Sequence, residues 1–158
     1  MENLLTIENI TLFIAIWGAG LSTYKVVSDY SKNARKLQVH IVYGLLTQGN
    51  IVGPRTISIS AQNTGYRDIT LSSMGFILPD KKYILIVEPQ SNVRFPYTLS
   101  EGKECSVWKT QKELAIELKK NGYSGKIKLR GYYRSAVGKI FNSKATTFDI
   151  EKTLAQNE

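Results

Sequence analysis

The hydrophobic and polar positions of this chain follow two patterns, and the first is a long apolar run near the N-terminus. No charged residue lies among the sixteen residues between Glu8 and Lys25, within the segment ITLFIAIWGAGLSTYKVV. As a helix this stretch spans about 24 Å, and extending it to residues 4–27 exceeds the roughly 30 Å of a bilayer's hydrocarbon core. The pattern predicts a transmembrane helix. The alternative is a helix buried against a soluble domain.

Small residues line one face of this predicted helix. An amphipathic helix lying in the membrane surface would carry Lys and Arg on its polar face, whereas this face carries small or weakly polar groups. Small residues four apart let two membrane helices approach closely. We therefore predict a helix–helix contact, and with it a homo-oligomer, through Ala15, Gly18, Ala19 and Ser22.

The charges that flank the apolar run predict its orientation. Glu2 and Glu8 precede it without any Lys or Arg, and the residues after it are mainly basic. Because basic residues favour the cytoplasmic side, we expect the N-terminus outside and the rest of the chain in the cytoplasm. A cleaved signal peptide would carry a basic residue before the apolar run. The predicted juxtamembrane lipid contacts are Lys25, Lys32, Arg35 and Lys36, with Asp29 the acidic residue among them.

From Leu37 onward the second pattern, an alternation of apolar and polar residues, predicts strands. LQVHIVYGLL would point Leu37, Val39, Ile41, Tyr43 and Leu45 inward, and TISISAQN would do so with Ile57, Ile59 and Ala61. TQGNIVGPR is predicted to be a loop between them. PDKK joins ITLSSMGFIL to YILIV as a hairpin, a short edge strand is expected at Val93 to Phe95, and ECSVW forms a further strand.

The sequence TQKE predicts the start of a helix from about Gln111 to Lys120. Thr110 can cap the first turn, Glu113 completes the capping pattern, and Gly122 ends the helix. Next, GKIKLRGYYRS and IFNSKATTFDI form a long hairpin around AVGK. The apolar residues of its return arm do not keep one alternation, which predicts a bulge. EKTLAQNE is expected to be a frayed end.

These elements predict a mainly β fold. It is an antiparallel, immunoglobulin-like β-sandwich of about seven strands with one short helix, preceded by the transmembrane α-helix. A small barrel is the alternative architecture. The predicted divisions are residues 1–36 for the helix and its basic connector, 37–150 for the β-sandwich and 151–158 for a C-terminal tail.

The net charge of the chain says more about its binding partners than its length does. The chain of 158 residues carries a net charge of +8, and eight basic residues lie between Glu117 and Asp149 without an acidic one. Strand alternation gathers several of them on one face, which predicts a site for lipid headgroups, nucleic acid or an acidic protein. The other interpretation is a solvated outer face. The predicted anion- or partner-binding residues are Lys126, Lys128, Arg130, Tyr132, Arg134, Lys139 and Lys144.

Catalytic chemistry has little support in the sequence. One cysteine, Cys105, excludes an intrachain disulfide, and its alternating surroundings predict an inert buried thiol. The single histidine of the sequence, His40, is expected on the surface of its strand. One histidine and one cysteine are too few ligands for an ordinary zinc site. Phosphate-binding glycine motifs are absent from the sequence. We therefore expect no cofactor, no metal and no enzymatic activity.

Three segments carry a resemblance to a known kind of protein: NTG after a strand, PYTLSEGKECSVW, and KLRGYYRSAVGKIFNSK. With the N-terminal helix they resemble small bacterial and prophage-encoded single-pass membrane proteins of unknown function that carry an immunoglobulin-like domain. The resemblance covers most of the chain. It implies one membrane helix followed by one β-sandwich, and it carries no catalytic residues over.

Two hypotheses about function follow from these patterns. In the first, the chain is a membrane-anchored, non-catalytic interaction module whose cytoplasmic β-sandwich docks a partner protein or an anionic surface. In the second, it is a soluble nucleic-acid-binding domain that uses the basic 126–144 hairpin, with Tyr132 and Tyr133 as stacking residues.

Overall fold

The computed structural model of the chain describes residues 7–33, 35–48, 51–87 and 89–156, without the side chains of residues 7, 8, 30–33, 48 and 51. The chain divides into two compact units, Met1–Ala34 and Arg35–Glu158. Its elements, in chain order, are α1 (Ile7–Asn33), β1 (Leu37–Gln48), β2 (Ile51–Asn63), β3 (Ile69–Ile77), β4 (Tyr83–Leu85), β5 (Gln90–Ser91), β6 (Tyr97–Leu99), β7 (Glu104–Thr110), α2 (Gln111–Lys120), β8 (Lys126–Ser135), β9 (Ile140–Asn142), β10 (Thr146–Asp149) and α3 (Ile150–Ala155).

The first unit is the helix α1, which is long and apolar enough over Asn9–Asp29 to cross a membrane. Its described apolar side chains are exposed, and Trp17 keeps 62% of its surface accessible. The rings of Phe13 and Trp17 stack along the helix, with centroids 6.4 Å apart.

The second unit consists of two antiparallel sheets in a sandwich-like arrangement. One sheet has the order β1-β2-β7-β5, and the other has the order β10-β8-β3-β4, with β6 also paired to β3 and β9 to β8. The predicted mainly β, antiparallel fold is confirmed. The alternative of a closed barrel is wrong, because the strands form two separate sheets rather than one closed ladder.

The sheets pack against each other closely enough to require a glycine. A Cβ on Gly131 of β8 would lie 2.7 Å from Cγ2 of Ile59, on β2 of the other sheet. Ile57, Ile59 and Ala61 are fully buried, as their alternation predicts. The core therefore lies between the two sheets, where alternate residues of each strand meet.

The strongest local signals of the sequence are confirmed. The helix α2 spans Gln111–Lys120, and the N–H of Glu113 donates to Oγ1 of Thr110 over 3.2 Å. The PDKK turn closes a hairpin in which Ile77 of β3 pairs with Tyr83 of β4. These signals are confirmed because each depends on residues a few positions apart.

The predicted loop TQGNIVGPR is wrong over its described residues, because β1 extends into it to Gln48 and β2 begins at Ile51. Thr47 pairs with Val52 beyond a register shift that begins at Leu45. Pro54 is tolerated here because β7 pairs with β2 only from Thr56 onward, so this part of β2 has an open edge. Tyr43 and Leu45, which were predicted to point inward, are exposed on this extension.

Two further predictions of local structure are wrong. The edge strand expected at Val93–Phe95 is absent, and the short strands β5 and β6 lie on either side of that segment. The frayed end is instead the helix α3, capped by the Asp149 carboxylate, which accepts the Lys152 N–H over 3.0 Å. Burial of Ile150 holds this helix on the domain. Residues 157–158 lie outside the described residues.

The last hairpin contains the irregularity that its sequence predicts. Asn142 of β9 pairs with Tyr132, and Thr146 of β10 pairs with Leu129. Residues 143–145 therefore face only residues 130 and 131, which leaves one extra residue on the return arm. The hydroxyl of Ser143 fills the break and accepts the Gly131 N–H over 2.9 Å.

Candidate functional site

A row of cationic side chains lies on the outer face of β8. Alternate residues of this strand point into the core, and the buried ones are Ile127, Leu129, Gly131, Tyr133 and Ser135. The intervening basic residues are exposed to solvent, as strand alternation requires. We call them the β8 row: Lys126, Lys128, Arg130 and Arg134.

The return arm of the hairpin brings two further predicted residues next to the β8 row. Ile140 pairs with Arg134, which places Lys139 beside that end, and the Lys139 Nζ lies 5.0 Å from the centre of the Phe141 ring. Lys144 is exposed on the segment 143–145, which faces Arg130. The predicted cations therefore share one surface.

Few acidic groups oppose these cations. The ion pairs recorded among the described residues, Lys82–Asp80 and Lys109–Glu117, include none of these cations. Asp149 pairs in register with Lys126, but its carboxylate caps α3. Lys128 pairs in register with Thr147 on β10. On β3, Arg130 pairs with Ile77 and Arg134 pairs with Ser73. In the part of the chain that the structure describes, the centre of the β8 row therefore pairs in register with no carboxylate.

Tyr132 was predicted to be part of this face, and the structure corrects that prediction. Tyr132 points outward but is only 3% exposed, because the Tyr83 ring on β4 lies edge-on over it at 5.1 Å between centroids. Burial raises the pKa of the Tyr132 hydroxyl. Tyr83 was not among the residues predicted for this face, although the alternation of YILIV could have indicated that Tyr83 and Leu85 share the exposed side.

The second predicted stacking residue, Tyr133, belongs to the core. Its side chain is fully buried, and its hydroxyl donates a hydrogen bond of 2.8 Å to the carbonyl oxygen of Ile59 on the opposite sheet. Tyr132 and Tyr133 therefore cannot form the aromatic platform that single-stranded nucleic acid requires. Their side chains stabilise the sandwich instead.

The predicted juxtamembrane residues are accessible where they are described. Lys25, Arg35 and Lys36 are exposed. The side chain of Lys32 lies outside the described residues. The four small residues of α1 (Ala15, Gly18, Ala19 and Ser22) are exposed as well, and a Cβ on Gly18 would meet nothing within 4 Å. The helix–helix contact through these residues stays a prediction.

The side chains that could act in catalysis or metal binding are dispersed, buried or held in hydrogen bonds. His40 is exposed on β1, as predicted, and Cys105 is fully buried, where desolvation raises the pKa of its thiol to about 11. The Tyr123 hydroxyl and the Lys82 ammonium hold the pKa of the Asp80 carboxyl at about 2. Within the described ranges no three His, Cys, Asp or Glu residues form a metal-binding group.

A groove of about 410 Å³ lies beside α2 and β7. Trp108 and Val87 line it, together with the Lys109 ammonium and the Glu117 carboxylate. These two charges pair with each other at 2.5 Å. The groove therefore offers an acid and a base that neutralise each other.

Comparison with known proteins does not assign this chain to a family or a function. No protein-family model matches the sequence, and no curated protein matches it. A Bordetella pertussis protein assigned as ApaA shares 11% identity over 72% of this chain and 91% of its own, with a TM-score of 0.37. The secreted serine protease VesC of Vibrio cholerae shares 15% identity over 69% of this chain and 22% of its own, with a TM-score of 0.34. These likenesses are too low to carry an argument about function.

Proposed function

We propose that this chain is a membrane-anchored, non-catalytic interaction module whose β-domain docks an acidic partner protein or another anionic surface on the cytoplasmic side. The observation that carries the proposal is the β8 row, a line of exposed cations whose centre pairs in register with no carboxylate among the described residues. The helix α1 supplies the anchor, and the docking surface belongs to the β-domain alone.

The length and composition of α1 support the membrane anchor. The apolar part, Asn9–Asp29, comprises 21 residues, and a helix of that size spans about 31 Å, close to the thickness of the hydrocarbon core. The described basic side chains of this region, Lys25 within the helix and Arg35 and Lys36 after it, all follow the centre of the helix. This asymmetry supports an outside N-terminus and a cytoplasmic β-domain.

Fractionation of cells that express the full chain tests the anchor. We expect the protein to stay with membranes in alkaline carbonate and in high salt, and to be released by detergent. A tag before Met1 should be cleaved by protease added to intact cells, whereas a tag after Glu158 should be protected. Release of the protein by salt alone would overturn the membrane anchor.

The β8 row supports docking because its cations act together. A single exposed ion pair contributes less than about 1 kcal/mol, so one cation would bind an acidic partner weakly. Several cations along one strand act on the same partner, and an anchored protein meets membrane-associated partners at raised local concentration. The proposed docking is therefore electrostatic and sensitive to salt.

Charge reversal in the β8 row tests the docking, with immobilised polyglutamate as a probe for an acidic protein surface. We expect Lys128→Glu with Arg130→Glu to weaken retention of the detergent-solubilised full chain by about ten-fold or more. The matched control, Lys112→Glu with Lys119→Glu on α2, makes the same change in net charge at exposed positions. Equal losses in both variants would mean that only net charge matters, and would overturn the docking site.

The same variants also test the hypothesis that the chain binds nucleic acid. The burial of Tyr132 and Tyr133 removes the stacking residues of that hypothesis. We expect duplex DNA and single-stranded DNA to be retained no better than polyglutamate at equal salt concentration. Retention of DNA that is much tighter, and that the β8 row variant abolishes, would replace the proposed function with nucleic-acid binding.

A further inference from the structure

Loops from four parts of the sequence meet at the end of the β-domain where the chain arrives from α1. We call this region the proximal end, and it comprises residues 35–36, the loop 64–68, the turn 100–103 and the turn 136–139. The Thr64 N–H donates to the Lys36 carbonyl oxygen over 3.0 Å, and the Gly102 N–H donates to the Asn63 carbonyl oxygen over 2.9 Å. Arg35 and Val137 line one small cavity together with Asp68. The proximal end is therefore one continuous surface.

Two apolar side chains project from this surface. Tyr66 is 63% exposed and Val137 is 68% exposed. The Asn63 side chain closes the loop beneath Tyr66 by donating to the Arg67 carbonyl oxygen over 2.8 Å. The turn beneath Val137 is closed by the Gly138 N–H, which donates to the Ser135 carbonyl oxygen over 2.8 Å, at a glycine with φ of 83°. Hydrogen bonds thus hold both apolar tips outward.

Basic residues surround the two tips. The proximal end carries five exposed basic and two exposed acidic side chains: Arg35, Lys36, Arg67, Lys103 and Lys139 against Asp68 and Glu101. Lys139 is the last residue of the turn that holds Val137. A basic surface with projecting tyrosine and aliphatic side chains is the composition of proteins that contact the interfacial layer of anionic bilayers.

Chain connectivity places this surface near a bilayer if α1 crosses it, which is the part of the proposed function on which this inference rests. The helix continues four residues beyond Asp29 to Asn33, which adds about 6 Å, comparable to the thickness of the headgroup layer. Arg35 follows Asn33 by two residues and so lies within about 7 Å of it. That separation is shorter than the Debye length of about 8 Å at physiological salt.

The far end of the β8 row is much more distant. Lys126 precedes Arg134 by eight residues of continuous strand, which corresponds to about 26 Å. Arg134 lies next to the proximal end, whereas Lys126 and Lys128 lie several Debye lengths away along the strand. Lipid contact at the proximal end therefore leaves most of the β8 row free for a different partner.

We infer that the proximal end docks on the anionic phospholipid headgroups of the leaflet from which α1 emerges. Tyr66 and Val137 enter the interfacial layer, while Arg35, Lys36 and Lys139 contact phosphate groups. In this orientation the proximal end of the β-domain faces the bilayer, and the β8 row and the β1–β2 hairpin extend away from the membrane.

Fluorescence of single labels on the full chain in nanodiscs tests this orientation. Tyr66→Cys and Val137→Cys each introduce a thiol for an environment-sensitive dye, and the native Cys105 does not react because it is fully buried. In nanodiscs that contain phosphatidylglycerol we expect both labels to emit at shorter wavelength and to be quenched by spin-labelled lipid headgroups. Two independent positions keep the test valid if one variant folds poorly.

Val52 offers a matched control for Val137. It is 69% exposed, it lies near the tip of the β1–β2 hairpin, and it pairs with Thr47, ten residues along β1 from Leu37. Its label should emit as in detergent and escape quenching, because ten strand residues span about 33 Å. Quenching at Val52 equal to that at Val137 would overturn the end-on orientation.

Charge reversal separates lipid docking from simple nearness to the bilayer. We expect Lys139→Glu to lower the ratio of docked to undocked protein, measured by the Val137 label, by about five-fold. Lys126→Glu makes the same change at the other end of the β8 row and should leave that ratio unchanged. Equal effects of the two variants would overturn the inference.

The two proposals fail in different ways. If the chain stays in the nanodisc through a high-salt wash but the Tyr66 and Val137 labels are not quenched, the proximal end does not dock and the membrane anchor stands. If the chain leaves the nanodisc in high salt, the anchor fails and the inference fails with it.

Discussion

At the scale of single residues, Asn63 shows how one buried polar side chain organises the β-domain. Asn63 is fully buried, and its amide nitrogen donates to the carbonyl oxygens of Arg67 and Leu99 over 2.8 and 2.9 Å. Its amide oxygen accepts the Gly65 N–H over 3.0 Å. In the sequence the NTG motif indicated only a break after a strand. The partner strand β6, which supplies Leu99, is 36 residues further along.

Removing this side chain should destabilise the domain strongly. Asn63→Ala leaves several buried backbone groups without a partner, and we expect the free energy of unfolding to fall by about 2–4 kcal/mol. Urea denaturation of the full chain in mild detergent measures this loss. The control is Asn142→Ala at an exposed position of β9, which should change stability by less than about 0.5 kcal/mol. Equal effects at both positions would contradict this role of Asn63.

At the scale of elements, the hairpin of β3 and β4 depends on a close approach of two backbones. Gly75 of β3 pairs with Leu85 of β4, and a Cβ added to Gly75 would overlap with the carbonyl oxygen of Ile84. The PDKK turn predicted the hairpin from neighbouring residues. The contact at Gly75 could not be predicted, because it depends on the distance between strands rather than on turn chemistry.

Gly75→Ala should therefore destabilise this hairpin. We expect a loss of about 3 kcal/mol in unfolding free energy, because the rigid backbone of β4 must move to admit the methyl group. Gly44→Ala on β1 is the matched control, since a Cβ there would meet Oγ1 of Thr56 at an ordinary 3.5 Å. Thermal unfolding followed by circular dichroism compares the two. A Gly75→Ala protein as stable as Gly44→Ala would contradict the close approach.

At the scale of the whole molecule, the β-domain contains its own core. The buried hydrophobic residues of the described chain run from Val39 to Ile150, within the second unit. The two compact units of the chain divide at Ala34 and Arg35. The stability of the β-domain should therefore be independent of α1.

Deletion of residues 1–34 tests this independence. We expect the fragment 35–158 to be soluble without detergent, to be monomeric, and to unfold within a few degrees of the full chain in detergent, because no core contact is removed. Scanning calorimetry and gel filtration measure both properties. An aggregated or unfolded fragment would indicate that the helix completes the core, and would contradict the membrane anchor as well.

Features that arise from neighbouring residues could be predicted from the amino-acid sequence. The apolar run of α1, the cap of α2 at Thr110, the turn at PDKK and the outward alternation of Lys126, Lys128 and Arg130 all follow from local chemistry. The bulge in the last hairpin also left a signal, because its extra residue shifts the alternation.

The accessibility of outward positions and the contacts between distant loops depend on packing between segments far apart in the chain. Tyr132 alternates outward, yet Tyr83 covers it from another strand. The segment TQGNIVGPR contains turn-forming residues, yet pairing along β1 makes it part of a hairpin. Tyr66 and Val137 share the proximal end because hydrogen bonds join loops that are about 70 residues apart in the chain. Contacts at that separation depend on how the sheets pack, and no local pattern encodes them.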